Sequence, residues 1–429
     1  MTELRSAPDP APTRRAWLPR LLRETVFRRY FAAQAVSQFG DQVTYLALPL
    51  MAVLAIGAGP AEMGYLTAAG LIPNLLFSLH AGAWVDRRPG KRQVMIVADL
   101  GRAVLLAAVP VLWWAGLLDL PHLYVIAFAI GTLSLFFEVA HGSLFASLVA
   151  RPDYIDANAL INGTRAMSYV AGPSIGGVLV QVLTAPFALL ADVFSYLVSA
   201  LLLRRTTVTE RPVTPEGSPG LGAGLRYIAR SQVLRSILLG VTTLNLFNYI
   251  FAALFVLYVT TQLGVSPGTL GAVIGAGAVG GLLGAALTGR LSRRIGIGPT
   301  VIVGMVAFPA PLVLVPAAEG SRPVVLGMLF AAEFCSALGV MVLDIAVGSL
   351  QTAATPPGML ALVHGAKRTV NYGVRPIGAL IGGALGTALG VRPALWIATV
   401  GALAGTLWIL FSPVRRMREL PPEPDEPAR

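Results

Sequence analysis

Residues 82–92 read GAWVDRRPGKR, a knot of charge set between two long apolar runs. Arg87, Arg88, Lys91 and Arg92 crowd around a single carboxylate, Asp86, and Gly82 and Gly90 bracket the stretch. Long apolar runs normally exclude charge, so the knot marks a place where the chain leaves one apolar environment and re-enters it.

The two flanking runs belong to a series. The chain has 429 residues, of which 55% are hydrophobic and 12% charged, far below the quarter expected of a soluble globular protein. Runs of ~20 apolar residues, each able to cross ~30 Å of hydrocarbon, recur along its length. Spans in lipid must satisfy their backbone groups internally, which predicts helices. We read twelve of them, at 30–56, 62–82, 93–115, 122–148, 158–182, 186–203, 233–262, 269–290, 299–317, 323–350, 358–388 and 393–412. The fold expected is therefore an all-α polytopic membrane protein of twelve transmembrane helices. A soluble protein of buried helices would need amphipathic helices and far more surface charge.

Arginine orients the spans. Alternate loops carry Arg87, Arg88, Lys91 and Arg92, then Arg151, then Arg204, Arg205, Arg226 and Arg230, then Arg290, Arg293 and Arg294, whereas the opposite loops offer Arg322 and Arg392. Positive loops stay inside, so both termini are expected in the cytoplasm of a bacterial plasma (inner) membrane protein. Residues 1–29 and 413–429 read as cytoplasmic tails, the first without the apolar core of a signal peptide. The net charge of +11 thus serves membrane orientation, and no nucleic-acid partner is expected; the lipid bilayer is the partner that it implies. Residues 204–232 split the spans into bundles at 30–203 and 233–412. The end of this linker places Leu221, Leu225 and Ile228 on one helical face beside Arg226 and Arg230, as in a short helix lying on the inner membrane surface.

The halves echo each other. EVAHGSL (138–144) matches DIAVGSL (344–350), and YVAGPSIGG (169–177) faces YGVRPIGAL (372–380) with Pro173 against Pro376. Duplicated six-helix bundles suit alternating access, in which two similar bodies rock about a shared site.

With these features assembled, GAWVDRRPGKR closely resembles the loop signature between the second and third helices of the major facilitator superfamily. The resemblance covers the whole chain and implies that family's fold of two pseudo-symmetric six-helix bundles. In detail the chain looks like bacterial exporters of the macrolide-efflux and enterobactin-exporter kind, whose first helix SQFGDQVTYLALPL (37–50) is similar to. Gly163, Gly172, Pro173, Gly176 and Gly177 resemble the fifth-helix signature of proton-coupled antiporters, with Ser168 where that pattern usually has Gly. For the loop, the expectation is a cytoplasmic gate in which Gly82 and Gly90 turn the chain and Asp86, with Arg87 and Lys91 beside it, latches onto a partner such as Arg102.

Charges at membrane depth cost roughly 2.5–3.5 kcal/mol each and so ask for a reason. Gln34, Gln38, Asp41 and Tyr45 share one face of the first span, and Glu138 and His141 share one of the fourth. Asn245 and Asn248 do so on the seventh span, and Glu333 and Asp344 on the tenth. In the family these four helices line the central cavity. The expectation is a wet substrate path in which one carboxylate loads and releases a proton, Asp41 and Glu138 being the leading candidates and Asp344 the third. Asp192, in the sixth span, reads as structural.

Other signals lead elsewhere. GAGAVG (275–280) has the dinucleotide spacing, but it lies inside an apolar span with no strand before it. Four scattered histidines give no metal-ligand spacing. A phosphate-binding loop and a nucleophile–base pair are both absent from the sequence. We therefore expect no cofactor, no metal and no enzyme. The function expected is a secondary transporter, acting as a monomer, that exports an amphipathic small molecule such as a drug, antibiotic or siderophore in exchange for H+. A lipid flippase or another solute transporter on the same fold is the alternative.

Overall fold

The structure, a computed structural model, describes residues 19–87, 90–207 and 221–421. Among these the chain is helical, without strands. The first half contains α1 (Thr25–Met51), α2 (Pro60–Arg87), α3 (Lys91–Trp114), α4 (Leu120–Leu148), α5 (Tyr154–Leu183) and α6 (Ala185–Arg204). A short linker helix, α7 (Leu221–Arg230), leads to α8 (Gln232–Leu257), α9 (Pro267–Ile295) and α10 (Ile297–Ala307). The chain ends with α11 (Arg322–Ala353), α12 (Leu360–Leu389), α13 (Val391–Leu403) and its continuation α14 (Gly405–Leu410).

These helices begin where local chemistry allows. Ser231 and Ser266 accept from the backbone N–H groups of Leu234 and Thr269 and cap α8 and α9. Ten of the helical segments are long and apolar enough to cross a membrane. The two other long helices, α2 and α12, pack on each other across the bundle interface. One face of each is thus sheltered from lipid, and α12 can carry Lys367, Arg368 and Arg375.

The loops repeat as the helices do. Positive φ occurs at Gly57 and Gly264, Gly90 and Gly296, Gly116 and Gly320, and Thr184 and Gly390. Each pair occupies the same inter-helix position in the two halves, displaced by 206 residues for Gly90 and Gly296 and for Thr184 and Gly390. That displacement also relates EVAHGSL to DIAVGSL. It corrects the second match, because packing pairs Gly176 with Gly382 and Gly177 with Gly383, leaving Pro173 and Pro376 out of register. A Cβ at Gly176 would meet Val43 of α1, and one at Gly382 would meet Ile250 of α8.

The bundles touch chiefly along two crossings, α2 with α12 and α5 with α9. A Cβ on Gly177 would overlap the Pro267 carbonyl and stand 3.1 Å from the Gly271 Cα; one on Gly383 would stand 3.1 Å from the Gly64 Cα. Small residues thus let the backbones meet, as membrane helices require. All these approaches lie toward the arginine-poor end. There one apolar core, including Leu50, Leu254, Leu270 and Leu395, joins both bundles. Toward the arginine-rich end the core divides, with Met95 and Leu144 on one side and Val301 and Leu350 on the other.

Two local expectations change. Gly82 lies inside α2 and makes no turn, because α2 stays helical through Arg87; among the described residues of the loop Gly90, at φ 94°, turns the chain. The linker helix buries Ile228 against Val363 and Ala366 of α12 while Leu225 is exposed, so its apolar face is split. The side chains of Asp86, Arg87 and Leu221 lie outside the described residues.

Candidate functional site

The polar residues at membrane depth fall into two groups, one in each half. In the first half α6 reaches close to α1 because residue 40 is glycine, where a Cβ would overlap the side chains of Asp192 and Ser195. This approach lets the Thr44 hydroxyl donate to one oxygen of Asp192 while the Ser195 hydroxyl donates to the other at 2.6 Å. One turn on, the Tyr196 hydroxyl donates to Asp41 at 2.5 Å. From α3, Arg102 bonds Asp99 and stands 3.6 Å from Asp41. Its guanidinium is sandwiched between the rings of Phe137 (4.5 Å) and Tyr196 (4.2 Å).

Asp99, Asp192 and Arg102 are buried, whereas the Asp41 side chain is 41% exposed. Two carboxylates, Asp99 and Asp41, therefore meet one guanidinium, with Asp192 within its electrostatic reach, and Asp41 is the one partly open. Arg102 leaves the gate role that the sequence suggested: eleven residues into α3, it lies ~16 Å along the helix from Lys91. Asp99 and Asp41 hold it there.

Between the bundles lies a cavity of about 470 Å³ walled by Tyr45, Asn248 and Glu333 and by apolar residues such as Leu71, Ile130 and Phe255. Asp41 is one turn of α1 from Tyr45. A second cavity, also of about 470 Å³, opens inside the second half and is walled by Asn245, Asp344, Lys367, Arg368 and Arg375. Asn248, Tyr249 and Phe308 line both, so the two adjoin.

The remaining expected residues separate. Glu138 crosses to the other bundle and pairs with Arg368 at 3.2 Å, both half exposed. His141, on the same helical face by sequence, turns into packing instead. It bonds the Tyr30 hydroxyl at 2.6 Å with the rings stacked, and so is an α1–α4 contact away from the cavities. Gln34 is buried within the first bundle, and Gln34 Nε2 and Gln38 Oε1 find no hydrogen-bond partner among the described residues. At the loop, Lys91 is 2% exposed at the first position of α3.

The fifth-helix glycines divide by task. Gly172 and Gly176 seat α5 on Gln42 and Val43 of α1, Gly177 meets α9 of the other bundle, and the Pro173 carbonyl receives Gly271. Gly163 faces open space. GAGAVG behaves as a packing strip, with Gly277 and Gly280 against the backbone of Glu333 and Phe334.

Sequence reasoning set Asp192 aside and missed Tyr196 and Lys367. Asp192 and Tyr196 are spaced i, i+4 on the sixth span, and Lys367 is one of two lysines in the chain; both signals were available.

The comparisons agree with this architecture. The chain is 27% identical to the multidrug efflux pump Tap of Mycolicibacterium fortuitum, over 89% of this chain and 93% of that one. It is also 27% identical to the Tap pump of Mycobacterium tuberculosis, over 92% and 94%. Among solved structures it resembles a bacterial homologue of the iron transporter ferroportin in an inward-facing state, with TM-score 0.76, 17% identity and coverage of 91% and 99%. A bacterial homologue of the lysosomal transporter Spinster, inward-facing and occupied, gives TM-score 0.70 at 12% identity, covering 92% and 98%. Matched over residues 15–428, the chain belongs to the transmembrane secretion effector family of the major facilitator superfamily and is a multi-pass membrane transporter.

Proposed function

We propose that this transporter exports amphipathic small molecules, drugs among them, from the cytoplasm across a bacterial plasma membrane in exchange for protons. The observation that carries the proton half of this reading is the position of Asp41. It is partly open one turn from the cavity wall, yet held by Tyr196 and within 3.6 Å of Arg102. The export half is supported by the Tap pumps, named as multidrug efflux proteins.

The arginine-rich loops face the cytoplasm. At the other end Arg392 is paired with Glu319 at 2.5 Å, which leaves that end with little net positive charge. The joined core then closes the outer face, and the divided core leaves the inner face open to receive substrate. Alternating access would close the inner end and part the glycine crossings.

Proton exchange at Asp41 supplies the switch. Ionised, Asp41 attracts Arg102 toward α1; protonated, it releases that attraction and leaves Arg102 on Asp99. A charge that changes its partner between two packed helices gives the two states different energies, as coupling requires. Glu138 and Asp344 follow Asp41 as proton carriers, because Glu138 is already matched by Arg368 and Asp344 shares its wall with Lys367 and Arg375.

The test is uptake of a fluorescent efflux-pump dye into inside-out vesicles. Collapsing the pH gradient should abolish accumulation, and accumulation that persists would refute proton coupling. Asp41→Asn should fold, bind dye and fail to accumulate it; wild-type accumulation would remove Asp41 from the mechanism.

A further inference from the structure

We propose that the exported molecule carries an anionic group, a carboxylate or phosphate, which docks on Arg375 in the second-half cavity while its apolar body fills the adjoining cavity. This rests on the reading above that the chain moves small molecules, and it names their chemistry.

The charge of the cavity wall is the first observation. Lys367, Arg368 and Arg375 line the cavity on α12, against one carboxylate in that wall, Asp344. Arg368 is partly neutralised by Glu138 from across the interface, and the Lys367 ammonium donates to Gln351 at 2.5 Å. The wall therefore has more positive than negative charge, in a place where an uncompensated cation is costly.

Arg375 is the second observation. Its guanidinium lies 4.0 Å from the Tyr372 ring centre and 5.3 Å from that of Tyr249. Among the described residues no carboxylate stands within ion-pair distance of it, and its Nε has no hydrogen-bond partner. Two aromatic rings thus hold a planar fork in place, and such a fork matches the two oxygens of a carboxylate or phosphate. Asn248 of α8 and Asn371 of α12 add amide donors to the same wall.

The third observation is continuity. Tyr249, which holds Arg375, also lines the inter-bundle cavity together with Phe251, Phe255 and Val256. A ligand with its acidic group on Arg375 can run directly into this apolar space. A neutral molecule of the same shape would leave the guanidinium with the Tyr249 hydroxyl and the more distant Asp344 as its polar company, and a cationic one would meet repulsion.

Binding to the purified full-length chain in neutral detergent tests this without depending on transport. The probes are 1-naphthaleneacetate, its uncharged primary amide and 1-naphthylmethylamine, measured by titration calorimetry. The acid should bind at least about tenfold more tightly than the amide, and the amine should not bind. Arg375→Gln should erase the preference for acid over amide, chiefly by weakening acid binding. Arg375→Lys, which keeps the charge and loses the fork, should recover part of it.

Measurable and equal affinity for acid and amide in the wild-type protein would overturn the proposal, and that result needs no variant to fold. A preference surviving in Arg375→Gln would also overturn it. Oleoyl lysophosphatidate is the lipid arm: Arg375-dependent binding of this probe alone would assign the anionic group to a lipid headgroup, and binding of the naphthalene acid to a soluble substrate. Acid binding without pH-driven transport would leave this inference standing and refute proton-linked export. Transport with no acid preference would do the reverse.

Discussion

The two bundles share a backbone and differ in charge. The displacement that relates Gly90 to Gly296 and Thr184 to Gly390 sets Asp99 against Met305, Arg102 against Phe308, Asp192 against Ala398 and Tyr196 against Ala402. The buried acid cluster of the first half is thus replaced in the second by apolar side chains around a small void walled by Phe308, Ala398 and Ala402. The reverse holds one cavity over, where Lys367 and Arg375 of α12 stand at the register of Ile161 and Tyr169 of α5. One half holds carboxylates in a closed hydrogen-bonded cluster; the other presents cations to an open cavity. On the function proposed above, the pseudo-symmetric halves are the two bodies that rock, and the broken symmetry divides the cargo, a proton for the first and substrate for the second.

The sharpest break of this comparison is removal of the first half's guanidinium. Arg102→Leu leaves Asp41 and Asp99 facing each other without a counter-charge, and breaking a buried pair in this way costs about 3–5 kcal/mol. We expect a large fall in thermal unfolding temperature in detergent and little folded protein. Replacing Phe308, its counterpart in the second half, by Leu keeps an apolar group there and should cost under about 1.5 kcal/mol. Equal losses from the two substitutions would show that the clusters are not specialised.

Next comes the crossing that both halves share. Gly177→Leu would drive a side chain into the Pro267 carbonyl and Gly271, and Gly383→Leu would do the same at Pro60 and Gly64. Overpacking of this kind costs about 1–3 kcal/mol and forces the closed end apart. Both variants should fold and lose most vesicle transport, to a similar degree if the two crossings act as one gate. A loss at one crossing alone would make closure lopsided.

What the sequence made legible follows from what is local. Span lengths, arginine bias and the i, i+4 faces that name Asp41, Glu138 and Asp344 depend only on neighbours along one helix. Which residue each one meets depends on helix crossings, and there the reading failed in a consistent way. Glu138 and His141 share a face by spacing, but one reaches Arg368 and the other Tyr30, because α4 presents that face to the opposite bundle and to α1 at once. Arg102 was assigned to a loop in its own neighbourhood, although beyond Asp99 on its own helix its partners come from α1, α4 and α6. Asp192 stays structural, buried with both oxygens bonded, but nothing in its own helix shows that Gly40 brings α1 and Thr44 against it. The match of Pro173 with Pro376 was a local likeness that ran against the backbone register.

A smaller effect is expected where the two charge systems meet. Glu138 and Arg368 form an ion pair across the interface with both side chains about half exposed. Pairs of that exposure contribute ~1 kcal/mol or less. Glu138→Gln should therefore shift thermal stability only slightly, while freeing Arg368 in the second-half cavity. If that cavity selects anions, the variant should bind 1-naphthaleneacetate more tightly than wild type. Weaker binding would mean that Glu138 orders the site instead of competing for it.

An effect of similar size concerns the backbone that the halves have in common. The α12–α13 junction is made by Gly390 at φ 89°, ψ 157°, and the α5–α6 junction by Thr184 at φ 70°, ψ 159°. The conformation is nearly the same, but it belongs to glycine; a β-branched residue there carries strain of about 1–3 kcal/mol. Thr184→Gly relieves the strain and loses some of it back to the greater freedom of glycine in the unfolded chain, roughly 0.5–1 kcal/mol. The net expectation is a stabilisation of about 1 kcal/mol, read as a higher unfolding temperature with transport unchanged. Gly390→Thr imposes the same strain on the second half and should lower the unfolding temperature. If both substitutions destabilise, Thr184 is doing something that its counterpart is not, and the equivalence of the two junctions fails at the level of the main chain.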